Sequence, residues 1–241
     1  MMNRIASLMA TFALLATTTY VASAQEEVHQ KKKVKIEIGA GVNVFGPQNR
    51  VASLMDRYGY NVTTKSWLTG EDIKSPSTEE MGLTAQLSVS YPISLRGRVG
   101  ALLNTTRFLE VTGYSATGGY LFIGFSNSYS FAPLYIYEIN KALELQAGPS
   151  LSIITVKKTS YGGSSGEKYT RLSAGILAGA DLLLWNRRVT FGKIGAYYLL
   201  NFGNKVGPFT SEGYNTSSSI PASRVTFGYL NLYAAFGVNL F

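Results

Sequence analysis

The side chains best suited to catalysis are almost missing from this chain. Cysteine does not occur, and His29 is the single histidine. Without a thiol there is no disulfide framework, no thiolate metal site and no lipid-modified N-terminal Cys. A histidine is the side chain most ready to exchange a proton near neutral pH. His29 stands in "HQKKKVK", with no serine-bearing elbow beside it, and reads as part of a solvated basic tail. Two acidic pairs, Glu71 with Asp72 and Glu79 with Glu80, offer oxygen ligands of the kind calcium takes. Isolated as they are, they read first as a solvated loop face. "YGGSSGEKY", residues 161–169, is glycine-rich but lacks the spacing of a phosphate-binding loop. No enzymatic activity, no metal and no cofactor is expected.

A second set of ionisable residues is defined by alternation. In "KVKIEIGAGVNVF" the apolar Val34, Ile36, Ile38, Ala40, Val42 and Val44 alternate with Lys35, Glu37, Gly39, Gly41 and Asn43. Period 2 over eleven residues is a strand with one apolar and one polar face. The pattern returns over residues 81–91, 143–153, 172–182 and 230–240, and less cleanly over 95–109, 130–139 and 188–202. Extending these phases puts eight charged residues on the polar face: Lys35, Glu37, Arg96, Arg98, Glu138, Glu144, Asp181 and Lys193. Four are positive and four negative, which fits either a selective polar pathway or a self-neutralising plug of ion pairs.

The elements that carry these residues suggest a barrel. Connections at Pro92 to Leu95, Ile139 to Ala142 and Asn186 to Arg188 are tight, whereas 46–78, 110–129, 158–168 and 203–222 are long and polar. Tight turns at one end and long loops at the other is the asymmetry of an outer-membrane barrel. Tyr91 and Trp185 stand where an interfacial aromatic girdle belongs. A soluble sandwich alternates too, but its polar face favours charge, while here Gly, Ser, Thr and Gln dominate, small enough for a narrow tube. The expected fold is all-β: an eight-stranded antiparallel up-and-down transmembrane β-barrel.

The N-terminus supplies an address. Arg4 precedes an uncharged run that ends in Ala22-Ser23-Ala24, the pattern of a cleaved secretory signal peptide. The expected division is a leader at 1–24, a basic periplasmic segment at 25–32 and the barrel at 33–241. The formal charge of +8 invites a nucleic-acid reading, which export argues against. The cluster from His29 to Lys35 is either solvated or in contact with anionic headgroups. Outer-membrane lipids are expected partners. The final strand, ending in Phe241, resembles the signal read by the barrel insertion machinery, a second expected partner. Phe241 itself lies one step out of phase with Leu240.

"APLYIYEINKALELQAGPSLSI", residues 132–153, resembles a recurrent segment of the PorT-like outer-membrane β-barrel domain. The match rests on Pro133, the tight turn, and the triplet Ala147, Gly148 and Pro149; "LSAGILAGADLLL" and "GKIGAYYLLNFGN" are similar to that family's next two strands. The resemblance implies a small eight-stranded barrel in a functionally mixed family, one branch of which assists protein secretion.

Function is expected in the loops. "NRVASLMDRYGY" sets Val51, Leu54, Met55 and Tyr58 at helical spacing, which predicts a short helix in the first long loop. Leu54, Tyr58 and Trp67 are candidate contacts for an unidentified extracellular or periplasmic protein. The composite expectation is a non-enzymatic closed barrel with binding loops. A narrow pore and an accessory role in export stand beside it.

Overall fold

A computed structural model describes residues 33–65, 71–74, 81–108, 110–115, 120–125, 128–160, 168–213 and 216–240. The expected leader, the 25–32 segment with His29, Trp67, the acidic pair at 79–80 and Phe241 lie outside the described residues. In chain order the elements are β1 (Val34–Val44), α1 (Pro47–Arg57), β2 (Tyr60–Lys65), β3 (Asp72–Lys74), β4 (Gly82–Pro92), β5 (Gly97–Arg107), β6 (Val111–Ser115), β7 (Tyr120–Phe125) and β8 (Ser128–Glu138). They continue with β9 (Leu143–Ser160), β10 (Lys168–Asn186), β11 (Thr190–Asn201), β12 (Asn204–Val206), β13 (Phe209–Gly213), β14 (Thr216–Ile220), β15 (Ser223–Val225) and β16 (Tyr229–Leu240).

Eight long strands form a closed antiparallel barrel in the order β10, β11, β16, β1, β4, β5, β8, β9, with β9 pairing back to β10. Each barrel strand neighbours the barrel strands before and after it, so the topology is up-and-down. The seam between the outermost strands is complete, from Val34 opposite Leu240 to Val44 opposite Leu230. Closure removes every exposed ladder edge from the wall.

The alternation sorts the faces as a barrel requires. On β4, Thr84, Gln86, Ser88 and Ser90 are buried, while Leu83, Leu87 and Tyr91 are exposed. Ile38 and Leu172 are 63% and 65% exposed. A sandwich would bury these apolar residues in its core; here they line the outside.

The short connections follow from local chemistry. Asn140 accepts hydrogen bonds at its side-chain oxygen from the amides of Ala142 and Leu143 (2.8 and 2.9 Å), which bends β8 into β9. Ser94 does the same for Gly97 (2.7 Å) between β4 and β5. At the third turn the Arg187 amide donates to the Thr190 carbonyl (2.8 Å). A bulge lies just before it: Leu183 pairs with Lys193, but Trp185 pairs with Gly192. This extra residue reverses the phase, so Trp185 faces outward, at 41% exposure, beside Phe236. Strict alternation from Asp181 would have aimed it into the lumen.

The long loops hold more structure than their sequence suggested. β9 and β10 run 18 and 19 residues and continue beyond the other barrel strands. The β9 extension pairs with β7, β7 with β6, β6 with β2 and β2 with β3. Helix α1 packs on β2 and β6. Val51, Ala52 and Met55 are its buried apolar face, joined by Tyr60, Val62, Val111, Leu121, Ile123, Phe209 and Phe227 in one apolar core. Of the expected helical face, Leu54 packs only at the edge of this core, and Tyr58 caps the helix C-terminus at 44% exposure. The helix starts at Pro47 and ends at Arg57, so Tyr58 has left the helical face at the C-cap, while Ala52 is buried with Val51 and Met55. Proline fits that first position because its missing N–H would have no partner there.

Leu145 is 43% exposed on the apolar exterior but pairs with Tyr137 near the tight-turn end of the wall, so Leu145→Arg is expected to destabilise the barrel in a bilayer by about 1 kcal/mol, less than the about 2–4 kcal/mol of a midplane site. Leu145→Ala should be milder. Reversible unfolding in lipid vesicles measures both.

Candidate functional site

The lumen gathers seven of the eight expected charges. Arg96 is the correction: it lies in the turn between β4 and β5, exposed to solvent, and its carbonyl accepts from the Glu138 amide (2.8 Å). The strand starts one residue after it, at Gly97, so the alternating phase does not extend to Arg96. Three cations therefore face four carboxylates.

They fall into two groups near the tight-turn end. In the first, Lys35 Nζ lies 3.0 Å from Glu144 Oε1 and 3.9 Å from Glu138 Oε1. Arg98 Nη1 lies 3.4 and 3.6 Å from the same two oxygens, and its Nη2 donates to Ser90 Oγ. In the second, Lys193 Nζ lies 2.7 Å from Asp181 Oδ2 and 2.9 Å from Glu37 Oε1. Asp181 Oδ1 also accepts from the Tyr233 hydroxyl and from Gln146 Nε2 (3.2 Å). Gly195 makes room for this carboxylate, since a Cβ there would stand 2.1 Å from Asp181 Oδ1. The lysines also sit over aromatic rings, Lys35 at 5.2 Å from the Phe191 centroid and Lys193 at 5.8 Å from that of Tyr233.

Some of these contacts cross the barrel. In the strand order β1 and β9 are diametrically opposed, and Lys35 joins Glu144 across that diameter. Further along, β5 and β11 are also opposed, and Asn104 Nδ2 donates to the Tyr197 hydroxyl at 3.1 Å. Tyr197 lies between Tyr233 and Tyr229, with centroids 5.6 and 6.5 Å away. Tyr229 reaches Thr106 Oγ1 (3.1 Å) and meets Phe108 edge-on. Ser130, Ser152 and Asn201 form another chain, ending where Asn201 Nδ2 donates to the Phe227 carbonyl (3.1 Å). Above these groups lies the apolar lobe core.

Sequence reading missed the inward aromatic and aliphatic residues. Phe191, Tyr197, Tyr233 and Leu177 occupy inward phases and are buried, as are Ala132, Leu134 and Ile136 on β8. Their phase was legible, but an apolar residue on a nominally polar face carries no signal that it is packed in a lumen. On the lobe surface, Tyr114 stacks edge-on against Tyr120 at 5.1 Å and is 51% exposed. Among the described residues no group of three His, Cys, Asp or Glu side chains is placed to hold a metal.

No family model and no curated protein matches the chain. Among solved structures it is similar to Ail, the attachment invasion locus protein of Yersinia pestis, in complex with the heparin analogue sucrose octasulfate. The identity is 11%, with 87% of this chain and 98% of that one covered, at a TM-score of 0.43. Neisserial surface protein A is 14% identical, covering 86% and 97%, at 0.40. The N-terminal β-barrel domain of Pseudomonas aeruginosa OprF is 12% identical, covering 87% and 100%, at 0.39.

Lys193→Met removes the cation that faces both Asp181 and Glu37, leaving two buried carboxylates without it. It should cost about 3–5 kcal/mol, the usual penalty for breaking a buried pair from one side. Lys193→Met combined with Asp181→Asn and Glu37→Gln should recover most of that loss. Denaturant unfolding of the three proteins in the same lipid checks both expectations.

Proposed function

We propose that this chain is a non-enzymatic outer-membrane β-barrel whose lumen is closed and whose task is carried by the structured lobe at its long-loop end. The observation that carries this reading is the bridging of the lumen between opposed strands at two heights, Lys35 to Glu144 and Asn104 to Tyr197. A continuous aqueous path has to break both. Cleavage of the leader near Ala24, the outer-membrane address and the orientation with tight turns in the periplasm belong to the same proposal. So does membership of the PorT-like family, which rests on Pro133 and the triplet Ala147, Gly148 and Pro149.

Recognition by the lobe is supported by what it exposes. Tyr58 and Tyr114 of the lobe each present a large ring to solvent, and Arg57 and Lys74 of the same lobe are exposed. Aromatic and cationic side chains of this kind are common anchors of protein contacts. Because the lobe has its own apolar core, such a surface is preorganised, which lowers the entropic cost of binding. An accessory role in export uses the same surface toward a different protein.

Purified protein in a planar bilayer is expected to give no reproducible single-channel steps. Steady conductance would favour the narrow pore instead. Protease added to intact cells is expected to cut within the long-loop end and to spare the three tight turns; the reverse pattern would overturn the orientation.

A further inference from the structure

One place in the barrel wall lacks its hydrogen bonds. β8 and β9 pair as Phe131 opposite Leu151 and again as Tyr135 opposite Ala147, with no pairing recorded between. Both flanks share one register, which sets Pro133 opposite Pro149. In an antiparallel ladder, opposed pairs two residues apart are of the same type. The Pro133 carbonyl lies 1.9 Å from where a Gly148 Cβ would stand, so it points at β9, toward a proline nitrogen with no hydrogen to donate. Each proline keeps its other neighbour, Pro133 with Ala101 on β5 and Pro149 with Ile176 on β10. The wall is therefore continuous around the defect but one rung short within it. Pro133 is the central residue of Ser128–Glu138, so the gap lies at mid-height.

A groove of about 690 Å³ opens on the outside at this point. Its lining includes the outward residues Tyr135, Ala147 and Ile176, and also Gly100, Leu134 and Gly148, whose phase is inward. Two glycines without side chains and one missing rung let the groove reach into the wall. Behind it the lumen is apolar, with Leu102, Leu134, Ile136 and Leu177 buried. The surface around it is the exposed apolar exterior, represented by Val99, Leu145 and Ile176.

We propose that this groove is a specific seat for one acyl chain of a membrane lipid. The assignment rests on reading the exterior as lipid-facing. The groove is continuous with that interface at mid-height, where hydrocarbon is the surrounding medium, and its lining carries no charge to recognise a headgroup, the Tyr135 hydroxyl being its one polar side-chain group. A chain lying in it fills the space beside the two glycines and the missing rung with methylene groups, giving the apolar side chains that line it van der Waals partners they would otherwise lack.

The test is photolabelling in vesicles with a phospholipid carrying a diazirine in mid-chain, followed by mapping of the labelled peptides. The expected result is an excess of label on β8 and β9 over the matched height of β1 and β16, on the far side of the barrel. Ala147→Leu fills the groove from an exposed position and should remove the excess. Pro133→Val with Pro149→Val restores the two donors, closes the rung and should do the same. Even labelling around the wall in the parent would overturn the seat while leaving the lipid-facing reading intact. Labelling of the groove below that of β1 and β16, as occupation by a second copy would give, would also overturn it. An absence of mid-chain label on the whole wall would instead overturn the lipid-facing reading on which the proposal rests.

Discussion

Eight strands set a tube so narrow that side chains from opposite walls touch, and the rest of this molecule answers to that geometry. Lys35 of β1 reaches Glu144 of β9 across the full diameter, so a charge inside the tube lies within reach of side chains from the opposite wall. Every ionised group inside must then be met by another side chain. That demand explains why Lys193 is held between Asp181 and Glu37, and why Asp181 takes further hydrogen bonds from Tyr233 and Gln146. Buried pairs of this kind add little net stability over an apolar filling, because desolvation offsets the attraction. Their effect is to make one arrangement of the strands much better than its alternatives: a slip of one residue would turn each charge out into the apolar exterior.

The same narrowness organises the other end. Tyr197, Tyr229 and Tyr233 fill the middle of the lumen, combining apolar bulk with a hydroxyl that finds a partner such as Asn104, Thr106 or Asp181. Above them the apolar filling runs without interruption into the lobe core around Val51, Met55 and Phe227. The long connections are thus anchored to the barrel through its interior. Extension of β9 and β10 provides an edge, and β7, β6, β2 and β3 add to it in turn. The lobe gains rigidity from this arrangement, since the sheet fixes its backbone and the shared core fixes its base.

Much of the barrel was legible in the sequence because a strand's two faces are written in alternate residues. The apolar series from Val34 to Val44 and from Leu230 to Leu240 fixes which side faces out, and the tight turn at Asn140 follows from that residue's own chemistry. Within the candidate site, Lys35, Glu37, Arg98, Glu138, Glu144, Asp181 and Lys193 were found by phase alone. Arg96 was not, because a phase has meaning only inside a strand and the strand begins after it. Trp185 reached its outward place by way of a bulge that no periodicity announces.

The sequence by itself therefore determined the strand faces, the tight turns and the helix at the first loop, all of which depend on residues near one another in the chain. Only the tertiary structure decided which charge meets which, since Lys35 and Glu144 stand 109 residues apart and come together through closure of the wall. It also decided that Ala52 rather than Tyr58 faces the lobe, and that Pro133 stands opposite Pro149. These are matters of register and curvature, set by the packing of the whole barrel, and a local pattern carries no record of them.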